Sequence, residues 1–299
     1  MKIILNILGI IVVIGGLYLF SENKDKVDKT LIIKSLIAQL IIAFLLVKFP
    51  LGQYVVRVVS DFVTNVLNFG FQGVSFVFGP LSDGTVGSIF AISVLANIVF
   101  IAALVAALYY LGVINFIVSI IGGAIQKVFG TSKVESFVAV ANMFLGQTES
   151  PILVSKYLHA MTRSELLLVL VSGMGSMSAT VLMGYVGLGI PMEYLLIAGA
   201  LVPLSSIIVS KILVPETHKE ETVKNVEMDR KGGHNNIMSA ISEGASNGVQ
   251  LAIGIGGSLI AITGLVALVN GALGTVGLSL QQILSYIFAP LAYLMGINP

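Results

Sequence analysis

Cysteine is absent from the 299 residues, which excludes disulfides, thiolate metal sites and a cysteine nucleophile together. Charge is scarce as well, since Asp, Glu, Lys and Arg make up 10% of the chain against about 25% in soluble domains. That charge nearly cancels, sixteen basic residues against fifteen acidic, so the basic surface a nucleic-acid partner demands is missing. Proline occurs eight times and the 32 glycines are scattered without period, which excludes collagen and repeat arrays. What is present is apolar: 56% hydrophobic residues and a mean hydropathy of +1.00 describe a membrane protein, multi-pass in the cell membrane, whose main partner is the lipid bilayer.

Apolar runs set the spans. Ile3 to Phe20 has spanning length and no small-residue cleavage site before the charged stretch Ser21 to Thr30, so it reads as a retained anchor. Leu31 to Phe49 is the second span, with Lys34 and Lys48 placed to snorkel. From Gly52 to Phe69, Arg57, Asp61, Thr64 and Asn65 alternate with Val and Phe at helical spacing, the pattern of an interfacial helix. Phe71 to Thr85 reads as a loop, rich in Gly, Ser, Asp and Pro. Ser88 to Leu111, Glu165 to Tyr185, Met192 to Leu213 and Gly248 to Val269 are further spans, and Asn115 to Phe129 is short and glycine-interrupted. Leu280 to Ile297 is an apolar stretch interrupted at Pro290. Pro215 to Asn236 is a polar linker whose His218 and His234 lack metal-ligand spacing. Lysines 24, 26, 29 and 34 favour a cytoplasmic first loop and an outside N-terminus.

One segment breaks the pattern. The run Val134 to Leu145 stops at Gly146-Gln147-Thr148-Glu149-Ser150-Pro151 and resumes from Ile152 to Met161. Twelve and ten residues reach about 18 and 15 Å, against roughly 30 Å of hydrocarbon. A re-entrant hairpin with a polar tip satisfies both lengths, with Gly146 turning the backbone and Pro151 opening the returning helix. An ionisable residue at membrane depth between two half-helices points to a transporter's substrate site, and an unwound tip lets Gln147, Thr148 and Glu149 converge on one ligand. Ser172-Gly173-Met174-Gly175-Ser176-Met177-Ser178-Ala179-Thr180 interrupts another apolar span. It reads either as close helix packing or as a local unwinding that offers hydroxyls and carbonyls to a hard cation, to which Asn142 adds a carboxamide oxygen. An intramembrane serine enzyme is disfavoured, because Ser176 lies outside any Gly-x-Ser-x-Gly turn and His159 sits beyond the hairpin tip in sequence.

Three segments together, Tyr109-Tyr110-Leu111-Gly112-Val113, Gly130-Thr131-Ser132-Lys133-Val134-Glu135-Ser136 and Ala141-Asn142-Met143-Phe144-Leu145-Gly146-Gln147-Thr148-Glu149-Ser150-Pro151, resemble the concentrative nucleoside transporter family. Pro215-Glu216-Thr217, Gly244-Ala245-Ser246-Asn247-Gly248-Val249-Gln250-Leu251 and Ala289-Pro290-Leu291-Ala292 agree in the same order, and Ala96 departs where relatives often carry Pro.

The resemblance implies an all-α polytopic fold of about six spanning helices, a re-entrant hairpin and interfacial helices, with an incomplete inverted-repeat transport domain. It implies N-terminal and scaffold helices with the interfacial helix over 1–113, the hairpin and transport-domain helices over 114–214, the linker over 215–237, and a scaffold helix with a truncated segment over 238–299. Carried over, Gln147, Thr148 and Glu149 match positions that recognise the base, with Val181 and Leu251 as apolar neighbours. Asn142, the Leu145 carbonyl, Ser176 and the Met177 carbonyl match a sodium site, which favours Na⁺ over H⁺ as the coupling ion of a homotrimeric nucleoside symporter. Family members continue past this point with a second hairpin, of which Leu280 to Ile297 is read as all or part. The 299 residues alone are therefore expected to insert without concentrating nucleosides, and the alternative is a non-transporting remnant or scaffold subunit.

Overall fold

The computed structural model describes residues 2–82, 87, 89–146, 154–217, 234–275 and 277–297, and every regular element among them is helical. Helix α1 (Lys2–Leu19) leads through a short loop to α2 (Lys29–Lys48), where the Asp28 side chain accepts the Leu31 amide at 3.0 Å. Helix α3 (Pro50–Phe78) starts on its proline, and a β-carbon on Gly52 would collide with the Leu45 carbonyl, so the α2–α3 turn closes only around glycine.

Helix α3 runs on to Phe78, through residues expected as loop. Its buried stripe of Val56, Ser60, Leu67, Gly70 and Val74 follows one helical face, which meets α4 (Ala96–Tyr110) at Leu67 and Gly70. Gly70 acts there as a contact, under Asn97 and Phe100, and the chain breaks only at Gly79, whose φ is 56°. Helix α4 is entered through a π turn at Ala91–Leu95.

Helix α5 (Val113–Phe129) packs on α6 (Lys133–Ala141), and α7 (Arg163–Gly175) and α8 (Ala179–Gly187) follow as two pieces of one apolar span. Helix α9 (Met192–Leu213) is the hub, touching α2, α3, α6 and α7. Its Leu204 and Ile207 join Ala139 of α6 and Leu168 of α7 in a buried cluster roofed by Leu31, Ile42, Ile125 and Phe129.

Helix α10 (Ile237–Gly274) lies along α4. Ala240, Gly244, Gly248 and Ala252 recur every fourth residue and are all buried. A β-carbon on Gly244 would stand 2.6 Å from the Ala106 methyl, and one on Gly248 2.8 Å from the Val99 Cα. Lipid supplies no hydrophobic force between helices, so this row of small residues lets the two backbones approach and gain dispersion contacts.

Helix α11 (Leu280–Leu294) runs unbroken through Pro290, against the interruption and the hairpin expected there. Pro151 follows Gly146 and four polar residues, whereas Pro290 stands between Ala289 and Leu291, which continue a helix, and Ser279 with Gln282 caps its start. Among the described residues, five segments have the length and composition to cross a membrane: Lys29–Lys48, Ala91–Tyr110, Arg163–Leu182, Met192–Leu213 and Ile237–Gly274. The protein is thus an all-α polytopic membrane protein.

Candidate cation and substrate site

Two capping boxes start the half-helices that meet at the site. Ser132 and Glu135 exchange bonds of 2.9 and 3.2 Å at the head of α6, and Thr162 and Glu165 do so at 3.0 and 3.2 Å at the head of α7. Helix α6 has nine residues, about 14 Å of rise, and stops at Asn142 in a run of tight turns to Leu145. The described part of the returning arm is a 3₁₀ turn, Ser155–Ala160, in place of the α-helix expected from Ile152. Val154 and Met161 pack against Val134 and Val138 of α6, so the return lies alongside the first arm.

The second interruption is the gap between α7 and α8. Its three residues, Ser176, Met177 and Ser178, are not helical, so the helix is interrupted here rather than packed through. The two interruptions touch at three places. The Asn142 Nδ2 donates to Ser172 Oγ at 2.7 Å, the Ala179 amide donates to the Phe144 carbonyl at 2.9 Å, and a β-carbon on Gly146 would lie 3.1 Å from the Ser178 Cβ.

Asn142 and Leu145 are buried at this junction, and Ser176 and Met177 are half-buried. The Asn142 Oδ1 is buried with no hydrogen-bond partner, although a lone amide oxygen left dry costs about 1–3 kcal/mol. Ser176 Oγ donates to the Gly173 carbonyl at 3.1 Å, which leaves its lone pairs for a ligand. Leu145 and Met177 stand in broken helical segments, where main-chain carbonyls lose their intrahelical donors. This donor set is neutral and all oxygen, suited to a hard monovalent cation, and the described residues hold no His, Cys or carboxylate cluster for a transition metal.

Val181 is half-buried at the start of α8. Leu251 is 36% exposed on α10, which packs chiefly on α4. Gln147, Thr148 and Glu149 lie outside the described residues.

A second polar cluster closes the end of this bundle that lies away from the junction. The Lys211 ammonium pairs with Glu135, lies 3.7 Å from Glu216 and donates to Ser164 Oγ at 2.8 Å, while Glu216 accepts from Thr162 at 2.6 Å. It borders a cavity of about 690 Å³ beneath the loop carrying Asp25 and Asp28. A lone lysine in the apolar run 192–213 signals such a pairing in sequence, but its partners come from two other helices and the loop after α9. In the linker, His234 lies 3.5 Å from Glu243, an ion-pair geometry, and His218 is outside the described residues.

Residues 8–81 match the family model of the Na⁺ dependent nucleoside transporter N-terminus, residues 91–192 that of nucleoside recognition, and residues 194–299 that of the Na⁺ dependent nucleoside transporter C-terminus. An "Uncharacterized transporter" of Haemophilus influenzae is 40% identical, the match covering 100% of this chain and 73% of that relative. The nucleoside permease NupC of Helicobacter pylori is 36% identical over 98% of this chain and 72% of its own length. The structure of CNTnw in an inward-facing substrate-bound state superposes at a TM-score of 0.92 and 37% identity, covering 100% of this chain and 74% of that one. The matches mark a transporter rather than an enzyme, multi-pass in the cell membrane. They bear out the resemblance carried by the Gly146 to Pro151 segment and its companions: this chain belongs to the concentrative nucleoside transporter family.

Proposed function

We propose that the full-length protein carries nucleosides across the cell membrane by symport with Na⁺, as a working transporter rather than a non-transporting scaffold. The observation that supports this most is the orphaned, buried Asn142 Oδ1 at the junction of two interrupted helices. A cation held there by Asn142, Ser176 and the carbonyls of Leu145 and Met177 satisfies that oxygen, and no carboxylate is needed to do so. A proton has no use for a cage of neutral oxygens.

The chain itself links ion to substrate. Leu145 is two residues before Gln147, so a carbonyl drawn onto Na⁺ stands next in the chain to Gln147, Thr148 and Glu149. The Gln147 carboxamide both donates and accepts, matching the edge of a base, and Glu149 accepts from ring N–H or fixed water. Val181 and Leu251 are assigned as apolar flanks of the base. In this reading 114–214 forms the moving body, 1–113 and the helix after the 215–237 linker form the scaffold, and 238–299 completes a homotrimer's scaffold and following segment.

The test is uptake of radiolabelled uridine by the full-length protein in vesicles under imposed ion gradients. Accumulation driven by an inward Na⁺ gradient, and absent under a proton gradient alone, is the expected result. Uptake that follows the proton gradient and ignores Na⁺ overturns the ion assignment.

A further inference from the structure

Ser172 is one helical turn before Ser176 and is wholly buried. Its hydroxyl makes two bonds of different kind. The Oγ lies 3.1 Å from the Val169 carbonyl, which can only accept, so the hydroxyl proton goes there. The same Oγ lies 2.7 Å from the Asn142 side chain, and with its proton spent it can only accept, so the group facing it must be the carboxamide N–H₂. The other end of that carboxamide, Oδ1, is then the atom turned away from Ser172, and it is the atom left without a partner.

We propose that Ser172 is a positioning residue for the cation: it holds the Asn142 carboxamide so that oxygen, rather than nitrogen, faces the cage. The inference rests on reading that cage as a Na⁺ site. The argument is one of polarity. The two ends of a carboxamide are close to isosteric, so packing alone selects neither, and a cage that presents N–H₂ to a cation repels it. A hydroxyl whose proton is committed to a main-chain carbonyl distinguishes the two ends, because it can accept from N–H₂ but has nothing to donate to oxygen. Partners behind a metal ligand typically change affinity by about 10- to 100-fold when removed.

The experiment measures the thermal midpoint of the purified full-length protein in detergent against NaCl, with choline chloride holding ionic strength constant, and in parallel uridine binding at saturating Na⁺. For Ser172→Ala the Na⁺ concentration giving half of the maximal stabilisation rises about 10-fold, and uridine affinity at saturating Na⁺ stays within about twofold of wild type. In an Asn142→Ala background the same substitution changes the Na⁺ requirement by less than about twofold, because the group it orients is gone. Equal shifts in both backgrounds show a packing role and overturn the proposal, as does an unchanged Na⁺ requirement in Ser172→Ala. A wild-type protein that NaCl stabilises no more than choline chloride refutes the Na⁺ site itself and this inference with it. If Ser172→Ala fails to fold, Ser172→Cys is measured instead: a thiol, a weaker donor and acceptor, raises the Na⁺ requirement where the proposal holds, and a wild-type requirement overturns it.

Discussion

Lys211 of α9 and Glu135 of α6 meet as an ion pair with side chains only 6% and 2% exposed. A pair this deep returns its desolvation cost only through further bonds. Here Ser164 and Glu216 supply them to the lysine, and the amide of Ser132 supplies one to Glu135. The pair ties the base of α6, the half-helix that ends at Asn142, to the hub helix α9.

Removing one member leaves the other buried and charged. Lys211→Met is expected to destabilise the protein by about 3–5 kcal/mol. Adding Glu135→Gln to that variant recovers part of the loss, since glutamine is neutral and still completes a capping box at the head of α6. Thermal midpoints of the two variants and wild type decide it: a double variant less stable than Lys211→Met contradicts the assignment.

The exposed counterpart is predicted to matter little. Arg163 and Glu22 pair at 2.9 Å with side chains 79% and 48% exposed. Arg163→Ala is expected to cost no more than about 1 kcal/mol, and less in high salt. A loss comparable with that of Lys211→Met shows that this surface bond fastens the α1–α2 loop to the head of α7 and contradicts the ranking.

The α4–α10 contact predicts an asymmetry between glycines of one helix. Gly248→Val forces new atoms onto the Val99 and Ile98 backbone and the Ala102 methyl and is expected to cost about 1–3 kcal/mol, whereas Gly254→Ala meets nothing within 4 Å and is tolerated. Equal behaviour of the two, measured as retained monodisperse protein after heating, contradicts the packing described.

How much of this was legible beforehand depends on range along the chain. The spans follow from apolar length, and the hairpin follows from two arms too short to cross with Gly146 and Pro151 at their junction, because those signals are local. Asn142 and Ser176 stand out as polar groups in apolar runs. Ser172 is equally visible as a polar residue, yet its use depends on a 2.7 Å contact with another helix that no spacing predicts. The Lys211 partners are hidden for the same reason. Phe71 to Phe78 misleads because Gly, Ser and Gln mark loops by composition, while the face they continue is fixed by packing on α4. Pro290 misleads because one proline without adjacent polar or glycine residues bends a helix more readily than it unwinds it.

The last prediction separates the two halves of the proposed site. Asn142→Ala and Ser176→Ala each remove one oxygen from the cation cage, and each is expected to raise the Na⁺ concentration for half-maximal uridine uptake about 10-fold, equivalent to roughly 1.4 kcal/mol. Their uridine affinity at saturating Na⁺ stays near wild type, because the cage refills by mass action and the base-reading residues are untouched. Glu149→Gln reverses the pattern. It abolishes uridine binding at every Na⁺ concentration and leaves membrane insertion and Na⁺-dependent stabilisation in place, since its carboxylate serves the ligand rather than the fold. The two measurements are made on the same preparations, uptake against Na⁺ at fixed uridine and binding against uridine at saturating Na⁺. Should Glu149→Gln shift only the Na⁺ requirement, or Asn142→Ala only the uridine affinity, the roles assigned to the tip and the cage are exchanged. Should either bind and transport as wild type, that residue lies outside the site.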